Sequence, residues 1–319
     1  MNLTRRDLGK LAMAALPAAF SAGKLFAKPD SKWGGVQIGI NAPYSFHGMP
    51  GGADDIIQYC TQLNLSAVEL RTQPVESFLG APKVPDAPSA RNKGADTDEK
   101  KAARKAAAEA LDKWRLAVTT DQLKAFRKHY EDAGILIQIV KVDHIDTMSP
   151  DVVDYAFTVA KTLGAHALSC EIPLSRTKWL GEFAAKHKLM VGYHGHTNIT
   201  SPEAFAKPES WETAMSYSKY NGINLDLGHF TAANKVSPVE FIKKHHDRIT
   251  HVHIKDKKFN NDNVPFGQGD TPIKEVLLMM QKEKYPFQGT IEFEYKVPEG
   301  SDVMTEIGKC VAYCKNILA

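Results

Sequence analysis

Several features that would settle the class of this chain are missing or scarce. Its 319 residues include only 4 cysteines. None belongs to a Cys-x-x-Cys pair, so nothing suggests a zinc knuckle. Cys310 and Cys314 stand one helical turn apart, where a bridge would constrain little, and with Cys60 and Cys170 they read as ordinary buried thiols. The apolar stretch Leu11 to Ala22 falls well short of the roughly 18 to 20 residues that span a bilayer. The first strand-like segment runs into Gly39-Ile40-Asn41-Ala42 rather than a glycine-rich phosphate turn, which argues against an open dinucleotide-binding sheet. A strong charge of one sign is absent too, because the formal net charge is +3.

That small excess sits at the start of the chain. Thr4-Arg5-Arg6-Asp7-Leu8-Gly9-Lys10 precedes the apolar stretch, and small residues follow at Ser21 to Gly23 and Ala27. The order of arginines, apolar run and small residues predicts a removable export signal over residues 1–27, read by the twin-arginine route. A cut after Ala27 removes Arg5, Arg6, Lys10 and Lys24 against one acid, Asp7, and takes the net charge from +3 to zero. A neutral remainder gives no general reason to expect a nucleic-acid or anionic-membrane partner. Its ~290 residues suit one (β/α)8 barrel, a fold of typically ~250 residues. The signal also sets the expected location, periplasmic or otherwise exported, with no stable membrane anchor after cleavage.

From residue 28 to 319 the sequence alternates short β-branched runs with longer amphipathic ones, the mark of repeated βα units. Eight strands are predicted: Val36–Asn41, Ala67–Arg71, Leu136–Val142, Ala167–Ile172, Met190–Gly195, Ile223–Leu227, Thr250–Ile254 and Thr290–Tyr295. Helices are predicted over Asp54–Leu63, Thr120–Ala133, Pro150–Leu163, Thr177–His187, Pro202–Ser216, Pro238–Lys244 and Ile273–Lys284. The expected fold is α/β, a single-domain (β/α)8 TIM barrel. An inserted loop and exposed helix, Thr72 to Arg115, follow its second strand, as a lid or as a solvated extension of the connection.

Side chains i and i+2 of a strand share a face. In Thr250-His251-Val252-His253-Ile254-Lys255 the apolar Val252 and Ile254 must meet the helices, which turns His251, His253 and Lys255 into the barrel. The same parity sends Glu69 and Arg71, Glu171, His194 and His196, Asp226, and Glu292 and Glu294 inward. Buried carboxylates are costly unless paired or bound to metal. Their crowding with imidazoles at the strands' C-terminal ends points to one divalent metal ion, Mn²⁺, Co²⁺, Mg²⁺ or Zn²⁺, over a purely stabilising salt-bridge network.

Leu225-Asp226-Leu227-Gly228-His229, His251-Val252-His253-Ile254-Lys255-Asp256, Pro265-Phe266-Gly267-Gln268-Gly269-Asp270 and Ile291-Glu292-Phe293-Glu294-Tyr295 resemble motifs of the sugar phosphate isomerase/epimerase superfamily, the xylose isomerase-like barrels. Tyr193-His194-Gly195-His196 resembles that family's Tyr-His-Asn-His element, with Gly195 in place of Asn. The insertion with Lys113-Trp114-Arg115 is similar to that of exported members. The resemblance implies metal ligands Glu171, Asp226, His253 and Glu292, with Glu294 the alternative to Glu292 on the same face. It implies Glu171 and Glu292 as the acid–base pair, and His229 as a substrate-binding histidine; His194, His196, Lys255 and Glu69 complete the substrate pocket.

The chemistry expected of such a site is proton abstraction beside a sugar carbonyl, giving an enediolate and hence isomerisation or epimerisation. A leaving group β to the carbonyl would make the same site a 3-keto-glycoside lyase or dehydratase. Export and the missing phosphate cradle favour an unphosphorylated sugar or glycoside as the small-molecule partner, with a homo-oligomer compatible with this fold. An endonuclease IV-like nuclease ranks below, because the early strands supply Glu69, Arg71, Gln138 and Lys141 rather than extra histidines. A non-catalytic sugar-binding barrel ranks last, since all four ligand positions hold competent residues.

Overall fold

A closed barrel gathers the candidate residues at one rim and, for Glu69, just beneath it. The structure, a computed structural model, describes residues 28–85 and 96–319; the export signal expected over residues 1–27 lies outside the described residues. Among the described residues nine strands are present: β1 (Lys32–Trp33), β2 (Val36–Ala42), β3 (Ala67–Arg71), β4 (Leu136–Lys141), β5 (Ala167–Cys170), β6 (Met190–His194), β7 (Asn221–Asp226), β8 (Ile249–Ile254) and β9 (Gln288–Ile291). β1 pairs antiparallel with β2 as a short flap, and β2 to β9 run parallel in sequence order. Pairing of β2 with β9, Ile38 opposite Gly289 and Ile40 opposite Ile291, closes the eight-stranded ring and rules out the open doubly wound sheet.

The strands form because their outward faces are continuous apolar surface. Val68, Leu70, Leu168, Cys170, Val191, Tyr193, Val252 and Ile254 are buried against the outer helices, and the area they remove from water is the main drive for closure. Those helices are α1 (Ala53–Gln62), α2 (Thr72–Phe78), α3 (Asp98–Ala117), α4 (Thr120–Asp132), α5 (Pro150–Thr162), α6 (Thr177–His187), α7 (Pro208–Tyr217), α8 (Leu227–Asn234), α9 (Val239–His245), α10 (Ile273–Glu283) and α11 (Val303–Leu318). All four cysteines are free and buried, as expected of packing thiols. No helix among the described residues is long and apolar enough to cross a membrane.

The inserted segment differs from a plain loop-then-helix. Thr72–Phe78 already forms α2, and α3 is tied back to it by a bidentate ion pair: Arg115 Nε and Nη2 donate to the two oxygens of Glu76 at 2.8 and 3.1 Å. Tyr155 and Ala156 of α5 lie against the same pair, so the C-terminal end of α3 is docked in the outer helix layer.

Candidate active site

The rim is built from residues that strand ends and helix starts hold in place. Asp226 ends β7 and is also the N-cap of α8, so the backbone N–H of His229 donates to its Oδ1 at 2.7 Å. The Asp-x-x-His spacing is thus that of a cap and its third helical residue. One carboxylate oxygen is fixed by the cap, leaving Oδ2 for the barrel mouth. Between them only glycine fits, because a Cβ on Gly228 would stand 2.8 Å from the carbonyl oxygen of Lys255. On the opposite side of β8, Asn41 of β2 donates through Nδ2 to Glu292 Oε1 at 2.8 Å, leaving Oε2 for the cations at the barrel mouth.

His253 lies between them. Its Nε2 meets Glu69 Oε2 at 2.5 Å, while Nδ1 faces Glu292 Oε2 at 3.3 Å and Asp226 Oδ2 at 3.9 Å. Glu69, expected in the substrate pocket, is fully enclosed below this histidine and also lies 3.3 Å from His251 Nε2. Its place is that of a carboxylate orienting an imidazole from behind. Burial alone would raise Glu69, but His253 and His251 hold it well below the usual carboxylate range. Burial would lower His253, but the Glu292 and Glu69 carboxylates raise it to about 10.

Lys255 enters the same space. Its Nζ is 3.1 Å from Asp226 Oδ2, 2.7 Å from Glu292 Oε2, 2.9 Å from Glu294 Oε2 and donates to His229 Nε2 at 2.9 Å. Burial would depress this ammonium, yet the three carboxylates hold it well above its ordinary value. Burial raises Asp226, with Glu292 beside it adding to the rise, whereas Lys255 and His253 keep Glu292 ionised against its own burial. Burial and the neighbouring Lys255 push His229 well below the usual range, so it is neutral and accepts at Nε2.

Four carboxylates, Asp226, Glu292, Glu294 and Glu69, therefore face the Lys255 ammonium and the His253 imidazolium, an excess of negative charge. Asp226 Oδ2, Glu292 Oε2, His253 Nδ1 and His194 Nδ1 are all buried without a well-aligned hydrogen bond. Donor atoms of His194, Asp226, His229 and Glu292 lie within 4.8 Å of one another. Carboxylate oxygens balanced only by Lys255 and His253 in such a cluster call for an explanation, and a divalent cation fits both the charge and the mixed oxygen and imidazole donors.

Glu171 stands apart from that cluster. It follows β5, which is diametrically opposite β9 in the ring, and it is held by the buried Lys141 Nζ and by His196 Nε2 at 3.0 Å. Burial would raise its carboxyl, but His196 and Lys141 hold it below the ordinary range. The structure thus brings Asp226, His253, Glu292, His229, His194 and Lys255 together, and His196, which lies against His194 and His229, joins Glu171 to this group.

Gly195 has a local reason for replacing the family's asparagine. A Cβ there would meet the Trp211 ring at 2.4 Å and the Phe205 carbonyl oxygen at 2.5 Å. Sequence reasoning missed Asn41, Tyr44, Asp143 and Asn263, which position Glu292, Glu294 and Arg71. Two cavities flank the carboxylates: about 280 Å³ beside Glu171, His196 and Phe205, and about 600 Å³ beside Glu294, Tyr44 and Arg71.

Known proteins share this architecture. The chain is 33% identical over 100 residues to an inosose dehydratase from Clostridium botulinum (strain Eklund 17B / Type B), a match that spans 28% of this chain and only 31% of that relative. The crystal structure of D-psicose 3-epimerase from Clostridium cellulolyticum H10 superposes with a TM-score of 0.60 at 10% identity, covering 88% of this chain and 99% of the other. A 3-keto-D-glucoside 4-epimerase from E. coli gives 0.59 at 10% identity, with coverage of 88% and 99%. At such identities the likeness is one of fold. A family model described as xylose isomerase-like TIM barrel matches residues 101–309, and with the closed ring and its carboxylate–imidazole rim the chain belongs to the xylose isomerase-like TIM barrel family.

Proposed function

We propose that this protein is a divalent-metal-dependent isomerase or epimerase acting beside the carbonyl of an unphosphorylated sugar, exported by the twin-arginine route. The observation that carries the reading is the convergence of Asp226 Oδ2, Glu292 Oε2 and His253 Nδ1, all buried and lacking aligned hydrogen bonds. These three residues are assigned to the cation, Mn²⁺, Co²⁺, Mg²⁺ or Zn²⁺. When bound, the ion would polarise a sugar carbonyl and its neighbouring hydroxyl and acidify the C–H between them.

Glu171, expected as a fourth ligand, is engaged by Lys141 and His196 and is assigned as the base. Its suppressed pKa keeps it ionised at neutral pH, and Glu292 stands on the opposite wall to exchange acid and base roles with it. His229 accepts from Lys255 at Nε2 and so keeps its proton on Nδ1, while His194 and His196 line the space between the two carboxylates. These are suitable partners for sugar hydroxyls.

A second reading, elimination of a group β to the carbonyl, is favoured by the similarity to an inosose dehydratase. Solvent deuterium exchange decides between them. Metal-loaded protein incubated with a panel of ketoses and 3-keto-glycosides in D₂O is expected to incorporate deuterium α to the carbonyl. Exchange with an intact carbon skeleton supports the epimerase, release of water or an alcohol supports the lyase, and no exchange with any substrate in the panel contradicts both.

A further inference from the structure

The larger of the two cavities is more than a single sugar bound at the carboxylates requires. It lies where the loop after β2 meets Arg71 of β3 and the residues that follow β9, and its volume is about 600 Å³, within the range of pockets that take drug-sized ligands. Its walls include Tyr44, Phe46, His47, Met49 and Phe293. The His47 and Phe293 rings stack at 5.3 Å, and the Arg71 guanidinium lies 5.0 Å over the Tyr44 ring.

Most polar groups of this cavity are already engaged, the exceptions being the His47 ring nitrogens and Arg71 Nε. Tyr44 donates its hydroxyl to Glu294 Oε1 at 2.6 Å, and Asn263 Nδ2 donates to Glu294 Oε2 at 3.2 Å. Arg71 Nη1 donates to both oxygens of Asp143 at 2.8 and 2.7 Å, while its Nε is buried without a partner among the described residues. A ring covered in hydroxyls would surrender hydrogen bonds to water and find few replacements here. A planar apolar ring would lose none and would gain aromatic and thioether contacts.

Continuity with the reaction centre comes through Glu294, which touches Tyr44 with one oxygen and Lys255 with the other, the latter at 2.9 Å. Lys255 in turn is 2.7 Å from Glu292. A ligand in the cavity is therefore one side chain away from a sugar lying over the carboxylates. We infer that this cavity is an aglycone subsite, and that the substrate is a glycoside whose sugar ring carries the carbonyl while an aryl group fills the space between Tyr44, His47 and Met49. The inference rests on the sugar-carbonyl reading of the rim, but the cavity can be tested separately.

The test is calorimetric binding of phenyl, methyl and glucosyl β-glucosides to the full-length, metal-loaded protein and to Met49→Trp, which fills the cavity. The phenyl glycoside is expected to bind roughly tenfold more tightly than either of the others, as burial of one aromatic ring provides. The ratio is expected to fall to near unity in Met49→Trp. Equal affinities in the unmodified protein, preference for the disaccharide, or a phenyl preference that survives Met49→Trp would each overturn the subsite. Deuterium exchange into free keto sugars, measured alongside, reports on the rim alone. Phenyl preference without exchange would remove the carbonyl chemistry and leave the subsite, whereas exchange without phenyl preference would remove the subsite and leave the chemistry.

Discussion

Replacing Lys255 with methionine removes the ammonium that contacts Asp226, Glu292 and Glu294. Methionine keeps the unbranched stem and loses the charge. Asp226 and Glu292 are 1% and 3% exposed, so neither can recover its hydration without opening the barrel mouth. Removing one partner of a buried ion pair costs about 3 to 5 kcal/mol, because an uncompensated charge stays behind. For a chain of this size that corresponds to a fall in Tm of roughly 5 to 8 °C. The same excess of negative charge should be relieved by a divalent cation. Added Mn²⁺ is therefore expected to raise the Tm of Lys255→Met by more than it raises that of the unmodified protein. Differential scanning calorimetry in EDTA and then in Mn²⁺ measures both effects. A loss below about 1 kcal/mol, or equal shifts with metal in the two proteins, would refute the reasoning that this space is held together by balancing carboxylate charge.

Three further outcomes are expected. Glu69→Gln removes the carboxylate that meets His253 Nε2 at 2.5 Å, and Mn²⁺ affinity by titration calorimetry should fall about 10- to 100-fold; an unchanged affinity would deny Glu69 its positioning role. Burial holds His251 down at about 4 from an ordinary 6.5, so its folded-state pKa lies below its unfolded one. That stability is present above pH 6.5 and lost as pH falls toward 4, by roughly 3 kcal/mol, and the Tm–pH curve of His251→Gln should be flatter across that interval. Gly195→Asn forces a Cβ against Trp211 and should cost about 1 to 3 kcal/mol in thermal unfolding; a neutral result would mean that the β6 loop shifts freely.

How far the sequence foretold this arrangement depends on whether a residue lies on a regular strand. His253 and Lys255 were legible because Val252 and Ile254 leave their face no choice but the barrel interior. Lys141 was not, and the cause is a bulge. Val68 pairs with Ile137 but Glu69 pairs with Ile139, so Gln138 is an extra residue. A one-residue slip reverses every face after it and turns Lys141 toward Glu171. Parity in β2 sets Asn41 beside the inward Glu69, a signal that the search for a phosphate turn passed over. Tyr44 opens a single 3-10 turn, Tyr44–Phe46, and Asn263 sits in a loop, and neither has a period that reports direction.

Helix α8 escaped notice for another reason. Leu227 to Ala232 are buried all round, so the segment has no polar stripe to betray a helix. The helix predicted from Pro202 begins instead at Pro208, because Phe205 is drawn inward to accept from the His196 backbone N–H at 2.8 Å. Strand β9 stops at Ile291, so Glu292 and Glu294 leave the ladder at the rim, and both reach Lys255.

The central claim is that Asp226, His253 and Glu292 together hold one divalent cation. Titration of Mn²⁺ into chelator-stripped protein tests it most directly, with Asp226→Asn alongside, since the amide keeps the N-cap acceptor for His229 while losing the ligand charge. One saturable site per chain, weakened by at least about tenfold in Asp226→Asn, is the expected result. No saturable binding, or binding that Asp226→Asn leaves intact, would contradict the account.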